Sequence, residues 1–459
     1  MINDRQGNPL SGATAEAANR FDAAVEAFNI YRGDPVALLD EAVALAPDFA
    51  MAHLMKAWAF ALATEPEAAL AARGIVDGAR RLPLAEREAG HAAALDALLS
   101  GEWTAAGLAL DHHLMRHPRD LLALQAGHLI DFFRADARNL RNRIARALPA
   151  WTPSVPGYPI VLGMYAFGLE ETGDYARSEA TGREAVDRQP LDCWAHHAVA
   201  HVMEMQGRAA DGIGWMRTRE PHWSGDGNFF KVHNWWHEAL FHIEVDAPQA
   251  ALALFDDEIR KDASSVAVDL VDASALLWRL HSAGHDVGDR FDEVASAWDA
   301  HADGALYPFN DWHAAMAYLG AGREADVERL LGRCRESAVG ASEVAGWTRT
   351  TGLPLIEGFR AFARGDYVDA VETLHRGRII ANSFGGSHAQ RDVIDWTLTE
   401  AAIRAGMRET AEALANERLA VRPHSPVNRS FLARAHTGGA DGGSGTHVGT
   451  RGRALAQAS

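Results

Sequence analysis

Only two cysteines, Cys193 and Cys334, occur in 459 residues, and they lie far apart. That scarcity argues against a disulfide framework and leads to the expectation of a reducing, cytoplasmic setting. No block of basic residues offsets a formal charge of −18, so neither a nucleic-acid nor an anionic-membrane partner is expected. The opening stretch MINDRQGNPLSGATAEAANRF lacks a basic-then-apolar signal pattern. Alanine-rich runs such as residues 49–63 are too short and too punctuated to span a bilayer. Alternating runs of Val, Ile and Thr are missing, which removes the strand signal, and no convincing Gly-rich phosphate loop or dinucleotide fingerprint appears.

What remains is 48% hydrophobic and 23% charged, enough apolar material for a large core. Apolar residues return every three or four positions, and Gly, Pro or Asp breaks arrive at short intervals, as in a chain of helical hairpins. In DPVALLDEAVALAPDFAMAHLMKAWAFALA a helix ends at Ala46 and Pro47-Asp48 opens the next. A second junction contains Pro118. The clearest unit closes at Pro190, 34 residues after Pro156, the period of tetratricopeptide repeats. Its turn, Gly173-Asp174-Tyr175, recurs as Gly365-Asp366-Tyr367. The expected fold is therefore all-α, a tetratricopeptide-type α-solenoid whose superhelix of hairpins encloses a concave pocket. Inner helices are expected near 192–206, 229–245, 264–282, 309–320, 352–364 and 386–405. Outer helices are expected near 208–219, 248–261, 286–301, 322–338, 367–380 and 408–420, with a cap near 427–436. Residues 1–436 form the repeat domain in this reading, and 437–459 a disordered Gly-rich tail.

Chemistry concentrates between Gln189 and Glu244, which hold seven of 22 histidines and five of 13 tryptophans. His197, His201 and Glu204 stand at i, i+4 and i+7, so one helical face presents all three. His196 lies about 100° away from that face. His233, Trp236 and His237 share a face of the next inner helix, while Trp235 and His242 point elsewhere. HEALFH resembles a zincin motif, but His242 follows His237 by five residues where four are needed. Asp269, Asp272 and Arg279 form a stripe that suits either an internal salt bridge or a substrate clamp. Asn310 or Asp311 is expected to cap the helix carrying His313. The Gly-Gly turn before Gln390, Arg391 and Asp392 offers backbone N–H groups for an anion. Isolated histidines such as His53, His91 and His128 read as packing residues, and Trp235 and Trp236 as packing anchors.

The blocks LDCWAHHAVAHVMEMQGR, HNWWHEALFHIE, VDASALLWRL, FNDWHAAMA and SHAQRDV together resemble the tetratricopeptide repeat protein 38-like family, over residues 190–400. The resemblance implies a tetratricopeptide superhelix and leaves the activity open. The expected function is binding of a small polar ligand on the concave face, with general acid–base chemistry of a hydrolase or lyase. His197, His201, Glu204, His233, His237 and Asp272 are the catalytic candidates. Trp236, Arg279, His313, Gln390, Arg391 and Asp392 are the substrate-binding candidates. No cofactor is required, but zinc or iron held by His197, His201, His233 and His237 is an alternative. A peptide-binding scaffold is the other. The expected partner is a small molecule, and a homo-oligomer is left open.

Overall fold

The computed structural model describes residues 2–381 and 384–437. Among them, α-helices follow one another from Ala15–Asn29 to Pro426–Thr437, and β pairing is confined to two isolated bridges, Asn3 with Pro9 and Arg32 with Asn228. No helix among the described residues is long and apolar enough to cross a membrane. The expected tail lies outside the described residues except for Thr437, which ends the last helix.

Local chemistry sets the helix starts. Asp34, Asp120, Asp136 and Asp192 each accept a first-turn backbone N–H, and Pro35, Pro66, Pro248 and Pro308 open helices whose first N–H groups have no intrahelical partner. In the repeat pair Tyr158–Glu171 and Tyr175–Arg188 the connecting Gly173 takes φ 80°, and Gly365 takes φ 82° before Tyr367–Ala381. A side chain at either position would suffer the left-handed penalty, which is why the Gly-Asp-Tyr turn recurs.

Most inner helices are buried on nearly every side, although Leu353–Arg364 buries only Leu355, Ile356, Gly358, Phe359 and Phe362. Every residue from Cys193 to Glu204 is buried, whereas Tyr175–Arg188 buries only Ser178, Gly182, Ala185 and Val186. This contrast is the signature of a superhelix in which outer helices cover inner ones. The observed helices Cys193–Met205, Lys231–Glu244, Ala267–Ser282, Pro308–Gly320, Leu353–Arg364 and His388–Arg404 occupy the six expected inner positions. Three details differ. The outer helix expected at 248–261 is α-helical only through Leu254 and continues as a π-turn, Phe255–Ile259. An additional short helix, Glu343–Trp347, leads through a second π-turn into Leu353–Arg364. Neither Asn310 nor Asp311 is an N-cap, because the helix starts earlier, at Pro308. Asn310 donates to Thr64 O at 2.9 Å and Asp311 accepts from Gly304 N at 2.9 Å, so both tie the helix to other segments.

The superhelix closes on itself. Gly33 N donates to Gly227 O at 2.7 Å and Phe229 N to Tyr31 O at 3.0 Å. Glu65 accepts from Ala267 N at 2.9 Å. Trp103 stacks on Tyr307 with ring centroids 5.3 Å apart, Tyr307 donates its hydroxyl to Phe133 O at 2.8 Å, and Glu343 accepts from Thr104 N at 2.6 Å. The N-terminal hairpins thus cover the concave face and convert a groove into a chamber.

Candidate metal centre and its cavity

The two His-x3-His pairs meet. Asp192 caps Cys193–Met205 by accepting from Ala195 N at 3.2 Å, and the following turns present His197 and His201 on one face. Lys231–Glu244 starts where Asn228 Oδ1 accepts from Phe230 N at 2.9 Å, and it presents His233 and His237. One ring nitrogen from each of the four histidines falls within 4.8 Å of the other three. His233 Nε2 lies 3.1 Å from His197 Nε2 and 3.2 Å from His237 Nε2.

Carboxylates anchor these rings from behind. His233 Nδ1 donates to Asp272 Oδ2 at 2.7 Å, and His237 Nδ1 donates to Glu204 Oε2 at 2.8 Å. His201 Nδ1 stands 3.4 Å from Glu170 Oε2. With Nδ1 of His233 and His237 committed to carboxylates, their Nε2 atoms face each other. A shared ring proton or a bound cation would satisfy nitrogens this close, and carboxylate–histidine pairs of this kind orient the imidazoles of metal sites. Buried atoms elsewhere in the cluster also lack partners: Nδ1 of His197 and both ring nitrogens of His201 make no hydrogen bond.

Electrostatics keep much of the cluster neutral when no cation is present. Burial first, and then the neighbouring imidazoles, holds His197 and His237 well below the usual histidine range. Burial brings His201 down to about 4, against the opposing pull of Glu204 and Glu171. Glu204 is raised by burial, and Glu170 is raised far more by burial beside Glu171. Burial also opposes ionisation of Glu171, but His388, whose Nδ1 lies 2.8 Å from Oε2 and whose backbone N donates to Oε1 at 3.0 Å, overrides that and keeps it low.

His233 and Asp272 form one end of a cavity of about 530 Å³, a volume typical of ligand chambers. Its walls include Phe132, Phe133, Trp194, Phe230, Tyr307 and Phe309. Gln390 and Asn310 add polar groups to the wall, while Asp226, Lys231, Glu258, Asp262 and Asp269 complete the charged part of the lining. Glu258 belongs to the π-turn that the sequence periodicity missed.

The other substrate-binding candidates lie elsewhere. Trp236 stacks on His233 at 5.2 Å and carries Arg279 over its ring at 5.6 Å, fully buried behind the cluster. Arg279 does not pair with Asp272, which is engaged with His233; it donates to the carbonyls of Ala275 at 3.1 Å and Ala389 at 2.9 Å. His313 Nδ1 is held by Phe309 O at 2.8 Å. Arg391 is spent on the carbonyls of Gly385 and Gly386, and Asp392 accepts from Arg418 at 3.1 Å. The supposed anion site after the Gly-Gly turn is already filled, since Ser387 and Gln390 form a capping box there. Only Gln390 of this group reaches the cavity, 3.5 Å from Asp272 Oδ1. Arg279 and Asp392 instead line a second hollow of about 30 Å³ with Glu204 and Arg422, room for about one water. The aromatic wall escaped sequence reasoning because much of it comes from residues 28–133, which carry no conspicuous polar motif.

No family model matches the sequence. Among solved structures, the chain is similar to Cut9 in the APC/C hetero-tetramer Cut9–Hcn1, at 13% identity over 91% of this chain and 76% of that one, with a TM-score of 0.43. It is also similar to human IFIT1 as a dimer with PPP-AAAA, at 12% identity over 94% of this chain and 96% of that one, with a TM-score of 0.41. The human IFIT1 dimer with m7Gppp-AAAA gives 13% identity over the same shares, again with a TM-score of 0.41. These chains share helical-repeat architecture and do not identify a function. They do correct the expected partners. Cut9 is seen with Hcn1 and IFIT1 with PPP-AAAA, so the expectation of a small molecule alone, with nucleic acid excluded, does not stand. The physical reason is that net charge averages a whole surface, whereas such ligands are held by a few local groups.

Proposed function

We propose that this helical-repeat protein is a metal-dependent enzyme, with one zinc or iron ion held by His197, His201, His233 and His237 beside an internal ligand chamber. The observation that carries the proposal is the approach of His233 Nε2 to His197 Nε2 at 3.1 Å and to His237 Nε2 at 3.2 Å, with Nδ1 of His233 and His237 turned outward to carboxylates. Imidazole suits both metals, and four such donors fit either. When bound, the ion would supply Lewis acidity at a coordination position that the four imidazoles leave open, as six-coordinate iron or a zinc held by three of them allows, and that chemistry fits a hydrolase or lyase. The chain's own residues do the rest. Asp272 holds the Nδ1 proton of His233 and fixes its ring, Glu204 does the same for His237, and Gln390 supports Asp272 from the chamber wall. His233 and Asp272 are the members of this group that line the chamber, so a ligand meets the centre there. Assignment to the tetratricopeptide repeat protein 38-like family belongs to the same proposal.

Metal-free acid–base catalysis is the second reading, supported by the His233–Asp272 pair in the chamber wall. It ranks lower because the free nitrogen of His233 is directed at His197 and not at the chamber. A peptide-binding scaffold ranks third, since its open groove is covered here by the N-terminal hairpins. Elemental analysis of protein purified without added metal tests the proposal. Near-stoichiometric zinc or iron that is lost in His237→Ala is expected, and a folded wild-type protein that neither carries nor takes up metal would refute it.

A further inference from the structure

The walls of the chamber have little hydrogen-bonding capacity left to offer a ligand. Tyr31 already accepts from Gln125 Nε2 at 2.8 Å, Tyr307 donates to Phe133 O at 2.8 Å, and Asn310 donates to Thr64 O at 2.9 Å. Between them stand Phe132, Phe133, Phe230 and Phe309, with aliphatic neighbours including Leu62, Leu129 and Val271. A polar molecule entering this space would lose its hydration without replacement bonds, at roughly 1–3 kcal/mol per buried polar group. An apolar body would gain about 25 cal/mol for each Å² it buries.

The charge pattern narrows the ligand further. Five acids face the chamber, Asp226, Glu258, Asp262, Asp269 and Asp272. Lys231 is the only lysine or arginine in its lining among the described residues, and it is already paired with Asp262 at 3.1 Å and Asp226 at 3.4 Å. The arginines that would have welcomed an anion, Arg279 and Arg391, bind backbone carbonyls outside the chamber. At the histidine end Asp272 stands directly behind His233, so its charge offsets part of a bound cation's field there.

From these observations we infer that the chamber takes an uncharged or cationic lipophile, a molecule with a long or bulky apolar body and one hydrogen-bonding head. The head sits at His233, Asp272 and Gln390, and the body lies along the aromatic wall. This replaces the small polar ligand expected from the histidine motifs. It rests on the reading of the chamber as the ligand site of the histidine centre, yet the chain's own residues supply the selectivity, so it is testable without metal.

The test uses the full chain, stripped of metal by chelation and separately loaded with zinc. Tryptophan fluorescence, which reports through Trp194 in the wall, is titrated with decan-1-ol, decylamine and decanoate below their aggregation concentrations. Decanol and decylamine are expected to saturate one site at least tenfold more tightly than decanoate in the stripped protein. Ala59→Trp and Ala63→Trp fill the chamber from partly exposed wall positions and should weaken decanol at least tenfold while leaving the melting temperature near that of wild type. His201→Ala, whose ring belongs to the histidine cluster but not to the chamber lining, should lose metal and keep decanol binding. Equal affinity for decanoate, no saturable decanol binding, or unchanged decanol binding in both filled variants would overturn the inference, even if metal is present. If decanol binds as expected but the protein takes up no metal, the inference stands and the metal proposal falls.

Discussion

Nδ1 of His233 and Oδ2 of Asp272, 39 residues apart in sequence, lie 2.7 Å apart across two neighbouring inner helices. The contact sets the tautomer of His233 and aims its Nε2 at His197. Replacing Asp272 by Asn weakens a carboxylate hydrogen bond without removing a ligand. Asp272→Asn should therefore bind zinc roughly 10–100-fold more weakly than wild type, as outer-shell changes do. His237→Ala should lose more. Competition against a chromophoric chelator measures both, and equal affinity in Asp272→Asn and wild type would show that the aspartate does not serve the centre.

The buried histidines should each cost the metal-free protein stability in acid. Burial holds His201 at about 4 and His313 and His128 at about 3, and their usual range is reached only on unfolding. Between about pH 6.5 and those lower values the unfolded chain binds more protons than the folded one, so these groups lower stability as pH falls through that window. Glu170 and Glu204, raised by burial, act in the opposite sense. Asp131 and Asp269, raised to about 6, and Asp192, raised to about 7, join them, so the histidine contribution is read one residue at a time. His128→Phe should gain melting temperature relative to wild type on going from pH 7 to pH 4.5, because His128 is buried against Phe167 and Trp194 and belongs to no ligand set. An unchanged slope would remove His128 from the account.

Arg391 should prove structural. Its guanidinium holds the Gly385–Gly386 turn and lies 3.8 Å from buried Glu171. Arg391→Ala leaves those carbonyls and that carboxylate short of a donor, and should cost about 3–5 kcal/mol in urea unfolding. Arg333→Ala, which removes one bond to Ala302 O at 3.1 Å, should cost about 1 kcal/mol. Comparable stabilities of the two variants would contradict this placement.

Two glycines of the clearest repeat should respond differently to alanine. At Gly168 a Cβ would sit 2.5–2.6 Å from the backbone of Leu140 and Arg141, so the two helices must separate. At Gly173 a Cβ meets open space but the backbone is left-handed, at about 1–2 kcal/mol. Gly168→Ala should be the more destabilising of the two in denaturant unfolding. The reverse order would mean that this helix contact yields readily.

Most of what local spacing governs was legible in the amino-acid sequence, the exceptions being the π-turn Phe255–Ile259, the short helix Glu343–Trp347 and the start of the helix at Pro308. Helix periodicity, the proline and aspartate starts, the recurring Gly-Asp-Tyr turn and the i, i+4 placement of His197 with His201 and His233 with His237 all depend on residues a few positions apart. Only the tertiary structure decided how those faces meet. Which carboxylate backs which histidine depends on the rotation and offset of neighbouring helices, and so Asp272 went to His233 and not to Arg279 on its own helix. The same holds for Arg391, whose partners are the carbonyls of a folded turn. The chamber's aromatic wall required closure of the superhelix, which brings Phe132, Phe133 and Tyr31 against helices about a hundred or more residues later in the chain. Such long-range approaches are set by the accumulated pitch of many hairpins, and no short stretch of sequence encodes that sum.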